Sequence, residues 1–422
     1  MYELIKLSNG LKVAIEHIPY VNSISIGLWV ENGSRNEKQS NNGISHFIEH
    51  MLFKGTETRN SKELAEVIED VGGQINAFTA KEATCFYVKA LDTHIDLGLD
   101  LLSDMLFNSK FTEEDIEKEK KVVIEEIKMS EDNPEDVLSD LHTVAIFGED
   151  SISMPILGTE NIVNGFTRED IIEYMNRYYV PENSVISICG NFNKNEIYKK
   201  VEKYFGNWKS KKGIKSKYTT PKLMEDFFFK QKDIEQVQFS LGLKGLPMGH
   251  EDNYALILLT NLFGGGASSK LFQNIRENLG LCYSIYAYPG SLINTGIITI
   301  YSALNSTFMS EAYNEIKGEV FKFSKEKLSN EKLGKAKEQL KGNYILGLES
   351  TSSRMFSNGK SALIFNRIKK PQEIINKIDS IDFETVNRVL KETYGEGILN
   401  GAFVGKDYEL VEKSLKLNIK SV

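Results

Sequence analysis

Cysteine, tryptophan and proline are scarce in this sequence of 422 residues, which contains three, two and eight of them respectively. The cysteines, Cys85, Cys189 and Cys282, are widely spaced and form no CxxC pair, so we expect reduced core residues and neither a disulfide framework nor a cysteine zinc site. No apolar run is long enough for a membrane span, and the first residues lack the pattern of a signal peptide. These absences predict a cytoplasmic protein with no membrane partner.

Positive charge is also limited, because 51 lysines and arginines stand against 59 acidic residues and leave a net charge of −8. An acidic chain disfavours nucleic acid or an anionic membrane surface as the main partner. Hydrophobic residues make up 41% and charged residues 26%, which is typical of a soluble globular protein. The length exceeds that of one ordinary core, so we expect at least two domains.

A lysine-rich stretch divides the sequence into two halves. Residues 209–222, KSKKGIKSKYTTPK, carry six lysines and almost no large apolar side chains, which favours a solvated linker over a basic binding patch. We therefore expect an N-terminal domain over residues 1–208 and a C-terminal domain over residues 223–422.

The two halves look like a diverged repeat. Residues 166–192 and 383–407 each contain an amphipathic helix, a tyrosine, a turn and an apolar strand that closes on a glycine, Gly190 or Gly405. Alternating strands and amphipathic helices occur in both halves. The expected fold class is therefore α+β, with two homologous α/β sandwich domains, each with helices on one side of a mostly antiparallel sheet.

Residues 41–56, NNGISHFIEHMLFKGT, have the periodicity of a buried helix. Its apolar stripe is Ile44, Phe47, Ile48, Met51 and Leu52. His46, Glu49 and His50 project together from the other side, at about 100° per residue. Imidazoles one turn apart can bind one Zn²⁺, and Glu49 can then reach a metal-bound water as the general base. An exposed face with a chance pair of histidines is the alternative, but the chain has only six histidines.

A second helix is predicted from Thr112 onwards. Its residues Glu119 and Glu126 are two turns apart and share a face. We predict Glu126 as the third zinc ligand and Glu119 as a residue that orients a ligand histidine. Taken alone, these glutamates fit a solvated helix face better than a metal site, and only the upstream HxxEH pattern singles them out.

HFIEH followed downstream by Glu126 resembles the inverted zinc motif of the pitrilysin and insulin-degrading enzyme family. GSRNE from Gly33, GGQINAFTAKEAT from Gly72 and PILGT from Pro155 also match family patterns in order. The chain is most similar to the processing-peptidase branch, which includes the β subunit of the mitochondrial processing peptidase and its bacterial relatives. The resemblance covers essentially the whole chain. It implies a zinc metalloendopeptidase with one Zn²⁺ per chain that hydrolyses peptides or unfolded segments.

The resemblance also has implications for assembly and substrate binding. Members of this branch work as dimers in which each chain is half of a clamshell chamber, so we expect a homodimer, or a heterodimer with a related chain. The strand that carries Asn76, Ala77 and Phe78 matches the family strand whose free edge pairs with the substrate backbone. By residue type alone, an ordinary sheet strand is the favoured interpretation of this segment.

The second half lacks the zinc pattern and has LLTNLFGGGASS where HFIEH would repeat. The triple glycine lacks the Gly-Lys-Ser/Thr spacing of a phosphate loop. Arg276 and Tyr283 match an Arg–Tyr pair that contacts substrate near the scissile bond in the family. Without the family pattern, a surface arginine and a half-buried tyrosine are the favoured interpretation. In longer relatives this pair and the zinc lie in different units, so by analogy it serves the partner's zinc, with action in its own chain as the alternative.

Three alternative functions are compatible with this sequence. An active zinc endopeptidase is the first, a non-catalytic structural or partner subunit of a processing-peptidase-like complex is the second, and a metal sensor is the third. The complete set of His46, His50, Glu49 and Glu126 disfavours the structural subunit. Glu49 disfavours the sensor, because a sensing site needs ligands but no general base.

Overall fold

The computed structural model describes residues 2–209 and 218–422, and these ranges contain two mixed sheets with helices packed on them. The strands are β1 (Tyr2–Lys6), β2 (Lys12–His17), β3 (Ser23–Val30), β4 (Gln74–Thr79), β5 (Thr84–Leu91), β6 (Ser184–Gly190), β7 (Phe227–Gln231), β8 (Gln236–Lys244), β9 (Ser284–Leu292), β10 (Thr295–Asn305), β11 (Asn400–Gly405) and β12 (Ile419–Ser421). The helices are α1 (Ile44–Met51), α2 (Ser61–Glu69), α3 (Ile95–Asn108), α4 (Glu113–Asp132), α5 (Pro134–Phe147), α6 (Glu160–Asn164), α7 (Arg168–Tyr178), α8 (Ile197–Phe205), α9 (Asn253–Gly264), α10 (Met309–Ser324), α11 (Asn330–Gly347), α12 (Thr351–Phe365), α13 (Pro371–Asp379), α14 (Phe383–Val389) and α15 (Tyr408–Leu415).

Local sequence explains many of these boundaries. Helix α7 begins with a capping box, in which the Thr167 side chain accepts from the Asp170 N–H and the Asp170 carboxylate accepts from the Thr167 N–H. Helix α5 begins with a proline at its first position, preceded by an asparagine cap. Six of the fifteen residues in the central strands β3 and β6 are isoleucine or valine, which suit a buried pleated surface.

The first sheet has the strand order β1-β2-β6-β3-β5-β4. Strands β2 and β6 are parallel, and all other neighbours in this sheet are antiparallel. Ile24, Ile26 and Leu28 of β3 are buried in one core with residues of α1, α3 and α7. This core fixes the helices against the sheet and places α1 beside the edge strand β4.

The second sheet repeats the same plan, with the order β12-β7-β11-β8-β10-β9. Strand β8 takes the place of β3, and β11, which ends at Gly405, takes the place of β6, which ends at Gly190. Here β7 is parallel to both β11 and β12, and the other neighbours are antiparallel. The expected pair of homologous α/β domains is therefore confirmed.

The two compact units are not contiguous in sequence. The first comprises the described residues of Met1–Ile127, Met154–Lys217 and Tyr344–Pro371, and the second those of Lys128–Ser153, Tyr218–Asn343 and Gln372–Val422. Helix α5 therefore belongs to the second compact unit and α12 to the first, whereas the expected domains follow the sequence as residues 1–208 and 223–422. The expected linker, residues 209–222, lies mostly outside the described residues.

Helix α12 packs on strands β2, β3 and β6 of the first sheet. Thr351 Oγ1 lies 3.0 Å from Ser25 Oγ, and Ser187 Oγ donates to the Met355 carbonyl at 2.8 Å. Gly27 leaves the space that the Met355 side chain fills. Short side chains on this face of the sheet therefore accommodate a helix that comes from the far end of the chain, so helices cover more than the one side that we expected.

The described residues include no helix with both the length and the apolar character needed to cross a membrane. Cys85, Cys189 and Cys282 are all buried as free thiols, as expected.

Candidate metal centre and active site

Helix α1 begins where a carboxylate from the preceding loop caps it. Glu37 accepts hydrogen bonds from the Gly43 N–H at 2.7 Å and from the Ser45 N–H at 2.9 Å, and the Asn42 side chain donates to it at 2.9 Å. A carboxylate here pairs the free N–H groups of the helix and complements its dipole. Gly43 has a left-handed φ of 94° and packs against Gly158. The GSRNE and PILGT segments together therefore fix the start of α1.

Three potential metal ligands converge on one point in the first unit. Glu126 Oε2, on α4, lies 3.4 Å from His50 Nε2 and 3.8 Å from His46 Nε2, and the three ligand atoms all lie within 4.8 Å of one another. Two ligand atoms bound to a tetrahedral zinc at about 2.0–2.1 Å are about 3.4 Å apart. The residues therefore fit a zinc ion with little rearrangement, and a set of two histidines and one glutamate is a known catalytic zinc set.

A second carboxylate of α4 orients one of these histidines. Glu119 Oε1 lies 2.8 Å from His50 Nδ1, so a hydrogen bond there directs Nε2 towards the metal ligands. The other oxygen of Glu119 forms an ion pair with Lys54, and Glu119 itself is buried. The structure therefore places the Glu119 carboxylate between His50 and Lys54.

Burial and charge give the two histidines opposite pKa shifts. Burial and the neighbouring His50 lower the pKa of His46 to about 4. Burial alone would lower the pKa of His50, but its hydrogen bonds with Glu119 and Glu126 outweigh that effect and raise the pKa to about 9. The hydrogen bond with His50 lowers the pKa of Glu126. Opposed pKa shifts of neighbouring groups within one small volume are typical of functional sites.

Glu49 lies on the same face of α1 without being one of the three converging ligands. Its Oε2 accepts a 2.6 Å hydrogen bond from the Thr79 hydroxyl, at the end of strand β4. Burial raises the pKa of Glu49, which moves it in the direction that suits a general base near neutral pH. Glu49 is therefore held next to the ligands by a group outside its own helix.

Strand β4, the predicted substrate strand, is an edge of the first sheet. Ala77 packs against the core on the α1 side, and neighbouring residues of a strand point to opposite faces. Phe78 accordingly packs on the other face, with its ring centroid 5.6 Å from Trp29 and 5.7 Å from Phe356. Asn76 is exposed, and its side chain accepts from the Ala77 N–H. The edge offers backbone to a partner strand, whereas the Phe78 ring serves packing.

Arg276 and Tyr283 lie together in the second unit. The Arg276 guanidinium is 5.1 Å from the Tyr283 ring centroid and 4.5 Å from that of Phe272. Tyr283 is 78% exposed, so it is not the half-buried tyrosine of the alternative interpretation. The pair is thus preorganised, with its tyrosine available to a ligand.

Sequence reasoning missed three residues that support the site, namely Glu37, Lys54 and Thr79. Thr79 had a usable signal, because alternation along β4 puts it on the α1 side together with Ala77. Glu37 lies too far before the helix for a local capping pattern. Lys54 lies just after the helix, where no local pattern predicts its ion pair with Glu119.

Two family profiles match consecutive parts of the chain. The sequence profile described as Insulinase (Peptidase family M16) matches residues 12–160, and the profile described as Peptidase M16 inactive domain matches residues 165–340. The first region includes all three potential ligands and Glu49, and the second includes the segment in which the zinc pattern is lost.

Similar proteins cover nearly the whole chain. A Bacillus subtilis protein named as an uncharacterized zinc protease is 42% identical over 92% of this chain and 94% of its own length. A Rickettsia felis protein of the same name is 35% identical over 96% of this chain and 97% of its own. A crystal structure of a Helicobacter pylori protease shares the fold, with a TM-score of 0.89 and 23% identity over 96% of this chain and 99% of that one. This chain therefore belongs to the insulinase family, peptidase family M16.

Proposed function

We propose that this protein is a zinc-dependent metalloendopeptidase that hydrolyses peptides or unfolded segments. The observation that carries the proposal is the convergence of His46, His50 and Glu126, with Glu49 beside them. The names of the relatives, which are called zinc proteases, support zinc as the metal. We propose one zinc ion per chain.

Each polar residue has a role in this proposal. A zinc ion held by the three ligands would lower the pKa of a bound water to about 7 and polarise a peptide carbonyl. Glu49 takes the proton from the attacking water on its free oxygen and delivers it to the leaving amine. Glu119 keeps the His50 ring oriented, and Lys54 keeps the Glu119 carboxylate in place.

The substrate backbone is proposed to pair with the free edge of β4, where Asn76, Ala77 and Phe78 provide main-chain groups. Arg276 and Tyr283 are proposed to contact the substrate near the scissile bond and to stabilise developing negative charge.

We further propose that the chain acts as a homodimer, or as a heterodimer with a related chain, like members of the processing-peptidase branch. Three buried free thiols support a reducing compartment such as the cytoplasm.

The non-catalytic alternative, a structural or partner subunit, is disfavoured by Glu49. This carboxylate is directed by Thr79 and is not one of the three converging groups. A purely structural metal site gains nothing from such a residue.

The Glu49→Gln variant tests the proposal, because glutamine keeps the shape but cannot take a proton. We expect about one zinc per chain by mass spectrometry of the metal, as in the wild type, and hydrolysis of fluorescein-labelled casein lowered by roughly two to four orders of magnitude. Glu125→Gln, one position before Glu126 on the exposed face of α4, is the matched control and should stay near wild-type activity. Casein hydrolysis by Glu49→Gln at the wild-type rate would refute the mechanism.

A further inference from the structure

The carboxylate of Glu49 has one oxygen engaged by the protein. Thr79 Oγ1 donates a 2.6 Å hydrogen bond to Glu49 Oε2, and both side chains are partly buried. A short hydrogen bond to a carboxylate is charge-assisted and stronger than one between neutral groups. It restricts rotation of the carboxylate, so the remaining oxygen, Oε1, keeps one direction.

Thr79 sits on a rigid support. It is the last residue of β4 and pairs with Thr84 at the start of β5. The turn between them is closed by the Ala80 N–H, which donates to the Ala83 carbonyl at 2.8 Å. The strand ladder therefore fixes the backbone of Thr79 on one side.

A buried ion pair holds the same turn from the other side. Arg35 and Glu82 are both buried and form a salt bridge. The backbone N–H groups of Ser34 and Arg35 donate to the Ala80 and Lys81 carbonyls at 3.2 and 2.8 Å. Because the turn is held at several points, the Thr79 hydroxyl has little freedom to move away from Glu49.

We propose that Thr79 is a positioning residue whose hydroxyl holds the Glu49 carboxylate so that Oε1 points to the reacting water. This inference rests on the proposed function, because it assigns Glu49 the role of base. Thr79 touches neither the converging ligand atoms nor the scissile bond in this assignment, so its effect passes through Glu49 alone. The hydroxyl contributes to the rate of the chemical step and not to the affinity for substrate.

The test compares two substitutions at Thr79. Thr79→Val has the same shape but no hydroxyl, and Thr79→Ser keeps the hydroxyl. With fluorescein-labelled casein as substrate, Thr79→Val should lower kcat by roughly 10- to 100-fold with KM within about twofold, because a misdirected base loses its geometry. Thr79→Ser should recover at least about half of the wild-type kcat, since serine donates the same hydrogen bond.

Thr84→Val is the matched control. Thr84 faces Thr79 across the hairpin, but its hydroxyl donates to the Asn32 carbonyl at 2.9 Å and not to Glu49. It removes one hydroxyl from the same pair of strands, so it reports the cost of the substitution to the sheet. We expect its kcat to stay within about twofold of the wild type, with zinc content and thermal melting measured for every variant.

A second readout does not depend on activity. Crystal structures of the wild type and Thr79→Val should show the Glu49 carboxylate within hydrogen-bond reach of Thr79 Oγ1 in the first and rotated away in the second. An unmoved carboxylate in Thr79→Val would overturn the inference. So would a kcat equal to that of the wild type, a change confined to KM, or a failure of serine to restore the rate.

The inference and the proposed function fail in different ways. If Glu49→Gln is inactive and Thr79→Val is fully active, only the positioning role is wrong. If Glu49→Gln hydrolyses casein at the wild-type rate, the base assignment is wrong, and the role of Thr79 falls with it.

Discussion

Helices α1 and α9 follow equivalent central strands in the two sheets, yet they carry different chemistry. Helix α1 presents His46, Glu49 and His50 beside an edge strand, whereas α9 has the sequence NYALILLTNLFG and buries mainly leucine and phenylalanine. The histidines of the two units differ as well. His46 and His50 converge with a carboxylate, while His142 on α5 is buried in the second unit without a metal-ligand cluster among the described residues.

The sheet topology therefore does not determine the function of the side chains that the helices present. Two sheets with the same strand order accommodate helices with different side chains. The apolar stripe of each helix packs into the core, and the residues on its remaining face are free to vary. Within residues 2–209 and 218–422, a cluster of potential metal ligands is found in the first unit alone.

The largest effect on this difference between the units is expected when one of the potential zinc ligands is removed. His50→Ala should reduce zinc from about one per chain to near zero and abolish casein hydrolysis, because two ligands hold zinc far less tightly than three. The same change at His142 should leave the zinc content unchanged. Equal zinc in wild type and His50→Ala, measured by metal analysis after dialysis, would show that the ligand assignment is wrong.

We expect Arg276 of the second unit to contribute to catalysis. Mixing two inactive variants tests whether this arginine serves the zinc site of its own chain or that of the partner chain. Arg276→Ala is expected to lower activity by roughly 100-fold or more, as removal of a group that stabilises developing charge does. Inactive Glu49→Gln and Arg276→Ala proteins, mixed under conditions of subunit exchange, should regain activity if one chain supplies the base and the other the arginine. If exchange is confirmed by mass spectrometry and activity stays low, the pair acts within its own chain.

The buried histidine of the second unit, His142, predicts a pH effect of intermediate size. Burial lowers the pKa of His142 to about 4, against an opposing contact with Asn400. The unfolded chain therefore binds more protons between about pH 6.5 and 4, so stability falls as the pH drops through this window, by on the order of 3 kcal/mol at most.

His142→Gln removes this titrating group, and its free energy of unfolding should depend less on pH than that of the wild type over the same window. Denaturant titrations at several pH values measure the difference. His94→Gln, at a half-buried position of the first unit, is the control. Parallel pH curves for wild type and His142→Gln would contradict the prediction.

The smallest expected effect concerns the starts of the two helices. Glu37 caps α1, whereas Asp252 before α9 directs its carboxylate to Arg388, with two hydrogen bonds of 2.8 Å. Glu37→Gln and Asp252→Asn should each destabilise the fold by about 1–3 kcal/mol, the range for buried polar groups that lose a partner. Only Glu37→Gln should also weaken zinc binding, since it loosens α1. Zinc titrations with a fluorescent competitor separate the two, and equal zinc affinities would remove the proposed link.

Spacing alone was sufficient to predict the cluster on α1. A helix rotates by a fixed angle per residue, so His46, Glu49 and His50 share a face wherever the helix packs. The repeat was visible for the same reason, since matching alternation and matching glycines predict matching strands, and β6 and β11 confirm it. Glu126 needed the family motif as well, because its helix is rich in other glutamates.

Contacts between segments far apart in the chain depend on the tertiary structure. The exchange of α5 and α12 between the halves depends on which sheet face has the complementary shape, such as the space beside Gly27 that Met355 fills. The hydrogen bond from Thr79 to Glu49 joins a strand end to a helix, and no local period encodes such a distance. Sequence periodicity determines which side of an element is polar, but packing between elements determines what that side meets.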